Sequence, residues 1–195
     1  RSPKGKPVYY SDVLSKFLSN SDISQLSFNA YNLDLIFPNG AMGLRSVNIS
    51  EEHGKLIGIM GASGAGKTSL LNVLSGQLRP SNGQVKVNNI NIHLEKEQIK
   101  GVFGYIPQDD LLIDDLTVYQ NLYYNSKLCF AHRSEEDIKA LVKDTLVKLG
   151  LWGIKDLKVG SPLKKTISGG QRKRLNIALE LIREPSVLFV DEPTS

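Results

Sequence analysis

The sequence predicts an α/β fold with a mostly parallel sheet, an antiparallel β part near the N-terminus and a helical insertion. A short apolar segment at 55–60 runs directly into a glycine-rich loop, where a helix is predicted to begin. Strand-like and helix-like segments alternate along the chain, which is typical of a parallel sheet covered by helices. Residues 186–190 form a short, continuously apolar segment, the pattern of a strand buried on both faces.

The first 25 residues are predicted to be a linker with one short helix. Apolar residues at helical spacing fall within 10–18, and a polar run at 19–22 follows them. Because the chain opens on Arg1, we expect this linker to lead in from something upstream. The domain itself is predicted to span 26–195.

The first part of this domain is predicted to be mainly strands. In chain order the elements are strands at 26–37, 45–49 and 55–60, a helix over 67–75, a strand pair within 84–92 and a strand at 102–106. A turn at 38–40 separates the first two strands, and Gly76 ends the helix. Asn88 and Asn89 interrupt the strand pair, and asparagine tolerates the positive φ that such a turn requires.

Residues 109–167 change character and are predicted to form a helical subdomain. Ser134 with Asp137 fits a helix N-cap, and apolar residues then recur on one helix face as far as Gly150. A further helix is predicted over 169–184, where a following proline stops it.

Composition indicates an ordinary globular chain. It is 41% hydrophobic and 23% charged, with one cysteine, which suits a reducing compartment. The basic residues behind the net charge of +4 are dispersed, so no nucleic acid partner is expected. The apolar runs are too short to cross a bilayer, so we expect that the chain itself is not embedded in one.

The glycine-rich loop carries the chemistry of phosphate binding. Glycines let successive backbone N–H groups converge at the positive end of a helix and form an anion-binding nest. Lys67 adds a mobile cation for the phosphates, and the Thr68 hydroxyl can ligate Mg²⁺. The loop therefore predicts a nucleoside triphosphate and Mg²⁺ as ligands. Its candidate residues are Gly61, Ala62, Ser63, Gly64, Ala65, Gly66, Lys67, Thr68 and Ser69.

Two acidic residues follow the apolar strand at 186–190. Asp191 can hold Mg²⁺ through its water shell. The adjacent Glu192 points elsewhere and can accept a proton from an attacking water. Together with the glycine loop, this pair predicts hydrolysis of the triphosphate, with Lys67 and Glu192 as catalytic residues.

A second motif suited to phosphate precedes the helix predicted over 169–184. It consists of Ser168, Gly169, Gly170 and Gln171. A serine followed by two glycines at a helix start presents exposed N–H groups and a hydroxyl. Because one chain has no need of two γ-phosphate sites, each motif is expected to serve a different nucleotide. This favours two copies of the domain acting together.

These motifs resemble the ATP-binding domain of the ABC family, whose signature motif is closely matched by residues 163–178. The resemblance covers about 26–195 and implies a phosphate-loop NTPase core of the RecA-like kind. It also implies a head-to-tail dimer with a second ATP-binding domain, identical or different, that holds two MgATP. Residues 116–122, 159–160 and 172–174 are similar to the G subfamily. Membership there implies an ATPase coupled to transport, at the cytoplasmic face of a membrane, with a transmembrane transport domain downstream in the same polypeptide.

The resemblance assigns further roles. Gln108 corresponds to the glutamine that contacts Mg²⁺ and the water, so it joins the catalytic residues, and the implied metal set is Thr68, Gln108 and Asp191. Phe37 is the candidate aromatic for stacking on adenine, with Tyr31 as a rival and a plain core role as a third interpretation. The basic residues at 172–174 are given a role at the ATP site or in domain packing.

The sequence departs from the family at its end. It stops at Ser195, before the next strand and the switch histidine of the family, so the final strands are expected to be missing. The unpaired strand edges that result lead us to expect that this piece alone folds poorly and is inactive. Two alternatives to a transporter stay open: a soluble ABC ATPase acting in translation or DNA repair, and a sensor that binds ATP without turnover.

Overall fold

A computed structural model describes residues 26–161 and 166–191. These residues divide into two compact units, 26–100 and 101–191. The α/β class, the N-terminal antiparallel sheet and the helical segment are confirmed.

The predicted domain boundaries extend beyond what the structure describes. Residues 1–25 lie outside the described ranges, so the linker and its short helix stay a prediction. The same holds for the assignment of 26–195 as one domain with a helical subdomain at 109–167. Within the described ranges, no helix is both long enough and apolar enough to cross a bilayer.

The first unit contains four strands and one α-helix. These are β1 (Ser27–Ile36), β2 (Met42–Glu52), α1 (Lys67–Leu74), β3 (Asn82–Val87) and β4 (Ile90–Asn91), followed by a 3₁₀ turn at Lys96–Ile99. The sheet is antiparallel in the order β2-β1-β3-β4. Because β1 pairs on both edges, its inward residues Ala30, Leu33 and Leu35 are buried. Asn88 and Asn89 form the predicted turn from β3 to β4, with φ of 47° and 68°.

Residues 55–60 do not form the buried strand that the sequence predicted. They have no regular secondary structure, and Leu56 and Met60 are 99% and 93% exposed. A strand is stable only where neighbouring strands take up its backbone hydrogen bonds. The strand pairings found among the described residues include none with this segment. Apolar character alone is not sufficient, and this prediction is wrong.

The second unit combines a parallel strand pair with three α-helices. Its elements are β5 (Phe103–Ile106), α2 (Val118–Cys129), α3 (Glu135–Lys148), a 3₁₀ turn at Trp152–Ile154, α4 (Gly169–Leu181) and β6 (Val187–Val190). β5 and β6 are parallel neighbours, with Phe103 opposite Val187 and Ile106 opposite Val190. α4 ends at Leu181, before the predicted residue 184, and the chain continues in tighter turns in which the Arg183 amide donates to Glu180 and the Glu184 amide to Leu181.

The three helices of the second unit share one apolar core, and burial of these side chains is what holds them together. Its members include Val118, Leu122, Ile138, Val142, Leu146, Leu151, Leu175 and Leu179. Side chains satisfy the N–H groups where the helices begin. Thr117 and Gln120 form a reciprocal capping box on α2, and Ser134 accepts from the Asp137 amide at 3.1 Å, as predicted for α3.

Gly83→Ala is expected to destabilise the first unit strongly. Gly83 has a φ of 86°, and a Cβ there would overlap the carbonyl oxygens of Tyr31 and Asn32 in β1. Backbone atoms of a central strand cannot move aside, so we expect a loss of at least about 3 kcal/mol in unfolding free energy. Urea denaturation would measure it.

Gly40→Ala is the matched control for this substitution. Its φ of 81° is similar, but among the described residues nothing lies within 4 Å of the added Cβ. Only the backbone strain of about 1–2 kcal/mol should therefore remain. Equal losses in the two variants would contradict the predicted clash.

Candidate functional site

The glycine loop is shaped by left-handed glycines immediately before α1. Gly64 and Gly66 have φ of 77° and 87°. A Cβ on Gly66 would lie 3.0 Å from the carbonyl oxygen of Gly43 in β2, so this position has no room for a side chain. The first turn of a helix carries N–H groups without intrahelical acceptors, and the glycine loop directly precedes that turn of α1. Left-handed glycines before a helix start are what an anion nest requires, and the nest itself stays a prediction.

Lys67 is folded over the loop that it follows. Its ammonium donates to the carbonyl oxygens of Gly61 and Ala62, both at 2.9 Å. An ammonium has three N–H donors, so this geometry leaves Lys67 able to take a further acceptor such as a phosphate oxygen. The next residue, Thr68, presents its side chain in the exposed first turn of α1.

The structure brings Phe37 and the glycine loop to the same residue of β2. Phe37 lies in the turn between β1 and β2 and is half-buried, and its ring occupies the space where Gly43 would carry a side chain. The distance from an added Cβ on Gly43 to Cε2 of Phe37 would be 2.6 Å. Gly43 thus lies next to the Phe37 ring, and its carbonyl oxygen lies close to Gly66. Tyr31, the rival candidate, lies on β1 and is exposed, so the assignment of Phe37 as the adenine contact stays a prediction.

In the second unit, Gln108 and Asp191 follow neighbouring parallel strands. Gln108 comes two residues after β5 and is exposed, whereas Asp191 directly follows β6 and is buried. The Asp191 amide donates to the carbonyl of Ile106 at 3.0 Å, which fixes the two strand ends together. The carboxyl ends of parallel strands are where α/β proteins bind ligands. The catalytic candidate Glu192 lies outside the described residues.

Tyr105 is a contact of Asp191 that the sequence did not indicate. It lies on β5, and its hydroxyl is hydrogen-bonded to the Asp191 carboxylate. Burial raises the pKa of the Tyr105 hydroxyl above its usual range, and the charge of Asp191 and this hydrogen bond raise it further. Tyr105 therefore stays a neutral donor that helps to orient the buried carboxylate.

The motif at 168–171 forms the start of α4. The Ser168 Oγ accepts from the Gln171 amide at 3.2 Å, and Gln171 Oε1 accepts from the Ser168 amide at 2.7 Å. The side chain of Gln171 is thus part of a capping box. Ser168, Gly169 and Gly170 are exposed, and among the described residues nothing lies within 4 Å of a Cβ built on either glycine. The motif is open to an approaching molecule.

Sequence patterns grouped Arg172 with the two basic residues after it, but the structure separates it from them. Arg172 is 6% exposed and forms an ion pair with Asp110. The signal was present in the spacing, because Arg172, Leu175, Asn176 and Leu179 recur at helical intervals and all four are buried. Arg172 thus lies on the core face of α4, whereas Arg174 is exposed.

Comparison with known proteins adds a family match. The family described as "ABC transporter" matches residues 44–195. An "ABC transporter G family member 24" of Dictyostelium discoideum is 42% identical over 145 residues, which is 73% of this chain and 12% of that protein. An "ABC transporter G family member 23" of Arabidopsis thaliana is 34% identical and covers 100% of this chain, which spans 32% of it. A "Probable ATP-dependent permease" of Saccharomyces cerevisiae is 34% identical over 94% of this chain and 18% of its own length.

Ser168→Ala is expected to weaken α4 because it removes the cap. Losing an N-cap serine costs about 1 kcal/mol of unfolding free energy. Ser168→Asn keeps a capping oxygen and should recover most of that loss, although it lacks the hydroxyl. Chemical denaturation measures the two variants. If Ser168→Asn were as destabilising as Ser168→Ala, the capping box would not be what holds this helix start.

Proposed function

Because the chain belongs to the ABC transporter family, as an ATP-binding domain of its G subfamily, we propose that it binds MgATP together with a second such domain and that hydrolysis drives a substrate across a membrane. ATP binding and hydrolysis are the activities of this family's domain. The chain spans only 12–32% of the relatives named above, so the transport domain is proposed for the rest of the natural polypeptide.

The observation that carries this proposal is the geometry of the glycine loop. Gly64 and Gly66 turn the backbone into a nest at the start of α1, and Lys67 lies over it with a donor to spare. A nest at a helix N-terminus with a neighbouring cation favours a polyphosphate over a neutral ligand. Phe37 beside Gly43 adds an aromatic ring of the kind that stacks on a base.

The residues assigned to Mg²⁺ fit that ion. Mg²⁺ prefers hard oxygen donors and keeps several waters, and the set of Thr68 hydroxyl, Gln108 amide and Asp191 carboxylate supplies oxygens only. Bound there with ATP, Mg²⁺ would neutralise charge on the phosphates. Tyr105 serves this set by holding the Asp191 carboxylate through its hydroxyl.

Other residues of the protein act in the hydrolysis of ATP itself. Lys67 donates to the transferred phosphoryl group and stabilises the charge that develops on it. Glu192 accepts the proton of the attacking water. Ser168 and the amides of Gly169 and Gly170 act on the nucleotide held by the other domain, since their open surroundings suit a ligand from outside.

Two exposed apolar side chains mark the surface that we assign to the transport domain. Leu111 and Ile113 follow Gln108 and are 71% and 58% exposed. Their backbone is nevertheless held, since the Leu111 amide donates to Asn176 at 3.4 Å and the Ile113 amide to Asn121 at 2.8 Å. Apolar side chains displayed on a fixed backbone are suited to docking against another domain. This arrangement supports a domain that works at the cytoplasmic face of a membrane.

Glu192→Gln in the natural full-length polypeptide is expected to abolish ATP turnover while ATP still binds. The amide cannot accept the proton, so the hydrolysis rate should fall by at least about 100-fold. Phosphate release and nucleotide binding, measured on the same preparation, separate the two effects. The matched control is Glu184→Gln, an exposed glutamate at the end of α4, which should keep full turnover. Turnover that survives in Glu192→Gln would remove Glu192 from its assigned role.

Phe37→Ala is expected to weaken ATP binding by about 3- to 10-fold, the range of an aromatic stacking contact. Tyr31→Ala is the matched comparison and should leave the affinity unchanged, because the proposal places the Phe37 ring, not that of Tyr31, on the base. Titration with a fluorescent ATP analogue measures both. A larger loss in Tyr31→Ala would exchange the two assignments.

A further inference from the structure

Arg172 directly follows the signature motif and its side chain is buried in the second unit. Its guanidinium binds Asp110 in a fork, with Nε to Oδ2 at 2.8 Å and Nη2 to Oδ1 at 2.9 Å. Nη2 also reaches Asp114 Oδ1 at 3.3 Å, and Nη1 donates to the carbonyl of Gly160. One side chain on α4 thus contacts three positions outside its helix.

The fork has the geometry of a strong ion pair. Arginine and carboxylate in two parallel hydrogen bonds give orientation as well as attraction, and lysine cannot reproduce this. A buried guanidinium is tolerated only where partners satisfy it, and here two carboxylates and a carbonyl do so. The hydrogen bond from Arg172 holds the pKa of Asp110 below its usual range, so the pair stays charged at neutral pH.

Except for the bond to Gly160, these contacts fall on the short segment that follows Gln108. Residues 110–114 are held by Arg172, by Asn176 one turn further along α4, and by Asn121 of α2. Asn121 bonds both the amide and the carbonyl of Ile113, the latter at 3.1 Å. The segment is therefore fixed to the same helix whose first turn carries Ser168.

We propose that Arg172 is a positioning residue that couples Gln108 to the Ser168 motif. This inference rests on the proposed function, in which Gln108 attends the nucleotide of its own domain and Ser168 that of the other. Because residues 110–114 are tied to α4, a shift of Gln108 on binding or hydrolysis carries the start of α4 with it. The state of each nucleotide site thereby affects the other. The contacts of Arg172 with residues 110–114, called the joint below, transmit this effect.

The test uses Asp110→Asn and Arg172→Lys in the natural full-length polypeptide. Asp110→Asn keeps the size of the side chain and removes its charge, and Arg172→Lys keeps the charge and removes the fork. Asp144→Asn is the matched control, because it breaks an exposed ion pair with Lys148 on α3, at 2.7 Å, that lies outside the joint. Rate, KM and Hill coefficient for ATP are measured, together with amide hydrogen exchange at Leu111 and Ile113.

Both joint variants should lower kcat by about 10- to 100-fold through misplacement of groups. Their KM for ATP should stay within about 2-fold, since the glycine loop is intact, and their Hill coefficient should fall toward about 1 as the two sites become independent. Exchange at Leu111 and Ile113 should become faster. Asp144→Asn should match the parent in every readout.

Three results would overturn the proposal. The first is unchanged exchange at Leu111 and Ile113 in both joint variants. The second is faster exchange with an unaltered Hill coefficient. The third is a loss of kcat that lowering the temperature restores together with the fold, which would mark Arg172 as merely structural. If the parent protein does not hydrolyse ATP, the proposed function fails instead, and exchange still shows whether Arg172 fixes the segment.

Discussion

The N–H groups at the starts of two helices are the constraint around which this chain is organised. An α-helix begins with backbone donors that its own hydrogen bonding cannot use, and a buried or crowded donor is costly to leave unpaired. α4 satisfies its first turn internally through Ser168 and Gln171. α1 has no such side-chain cap among the described residues, and Gly66 instead enters it in a left-handed conformation. The two helix starts thus differ in what they leave for a ligand.

This difference matches the two tasks that we propose. At α1 the glycine loop and Lys67 surround the open helix start, which suits a polyphosphate held by many backbone donors. At α4 the capping box stabilises the helix by itself. The Ser168 hydroxyl acts as an acceptor in this box, so its O–H can still donate to a ligand. Because the start of α4 is already stable, it can bind and release a ligand without unfolding. That property suits a contact that forms and breaks once in each hydrolytic cycle.

Local chemistry was predicted from sequence, and long-range pairing was not. The glycine loop, the Asn88–Asn89 turn and the Ser134 cap depend on residues close in sequence, so their patterns sufficed. The strand expected at 55–60 depends on neighbours supplied from elsewhere, which a sequence pattern does not reveal. The same reason hid the partner of Arg172, because Asp110 is 62 residues away along the chain.

The glycines before α1 and at the start of α4 differ in what their surroundings require. Gly66 and Gly83 are required by their own fold, since a Cβ at either position would crowd the backbone of a neighbouring strand. Gly169 and Gly170 meet no such demand, because among the described residues nothing stands where their side chains would go. The backbone at the start of α4 is therefore accessible from outside, as the proposed contact with a triphosphate on the glycine loop of a second ATP-binding domain, identical or different, requires.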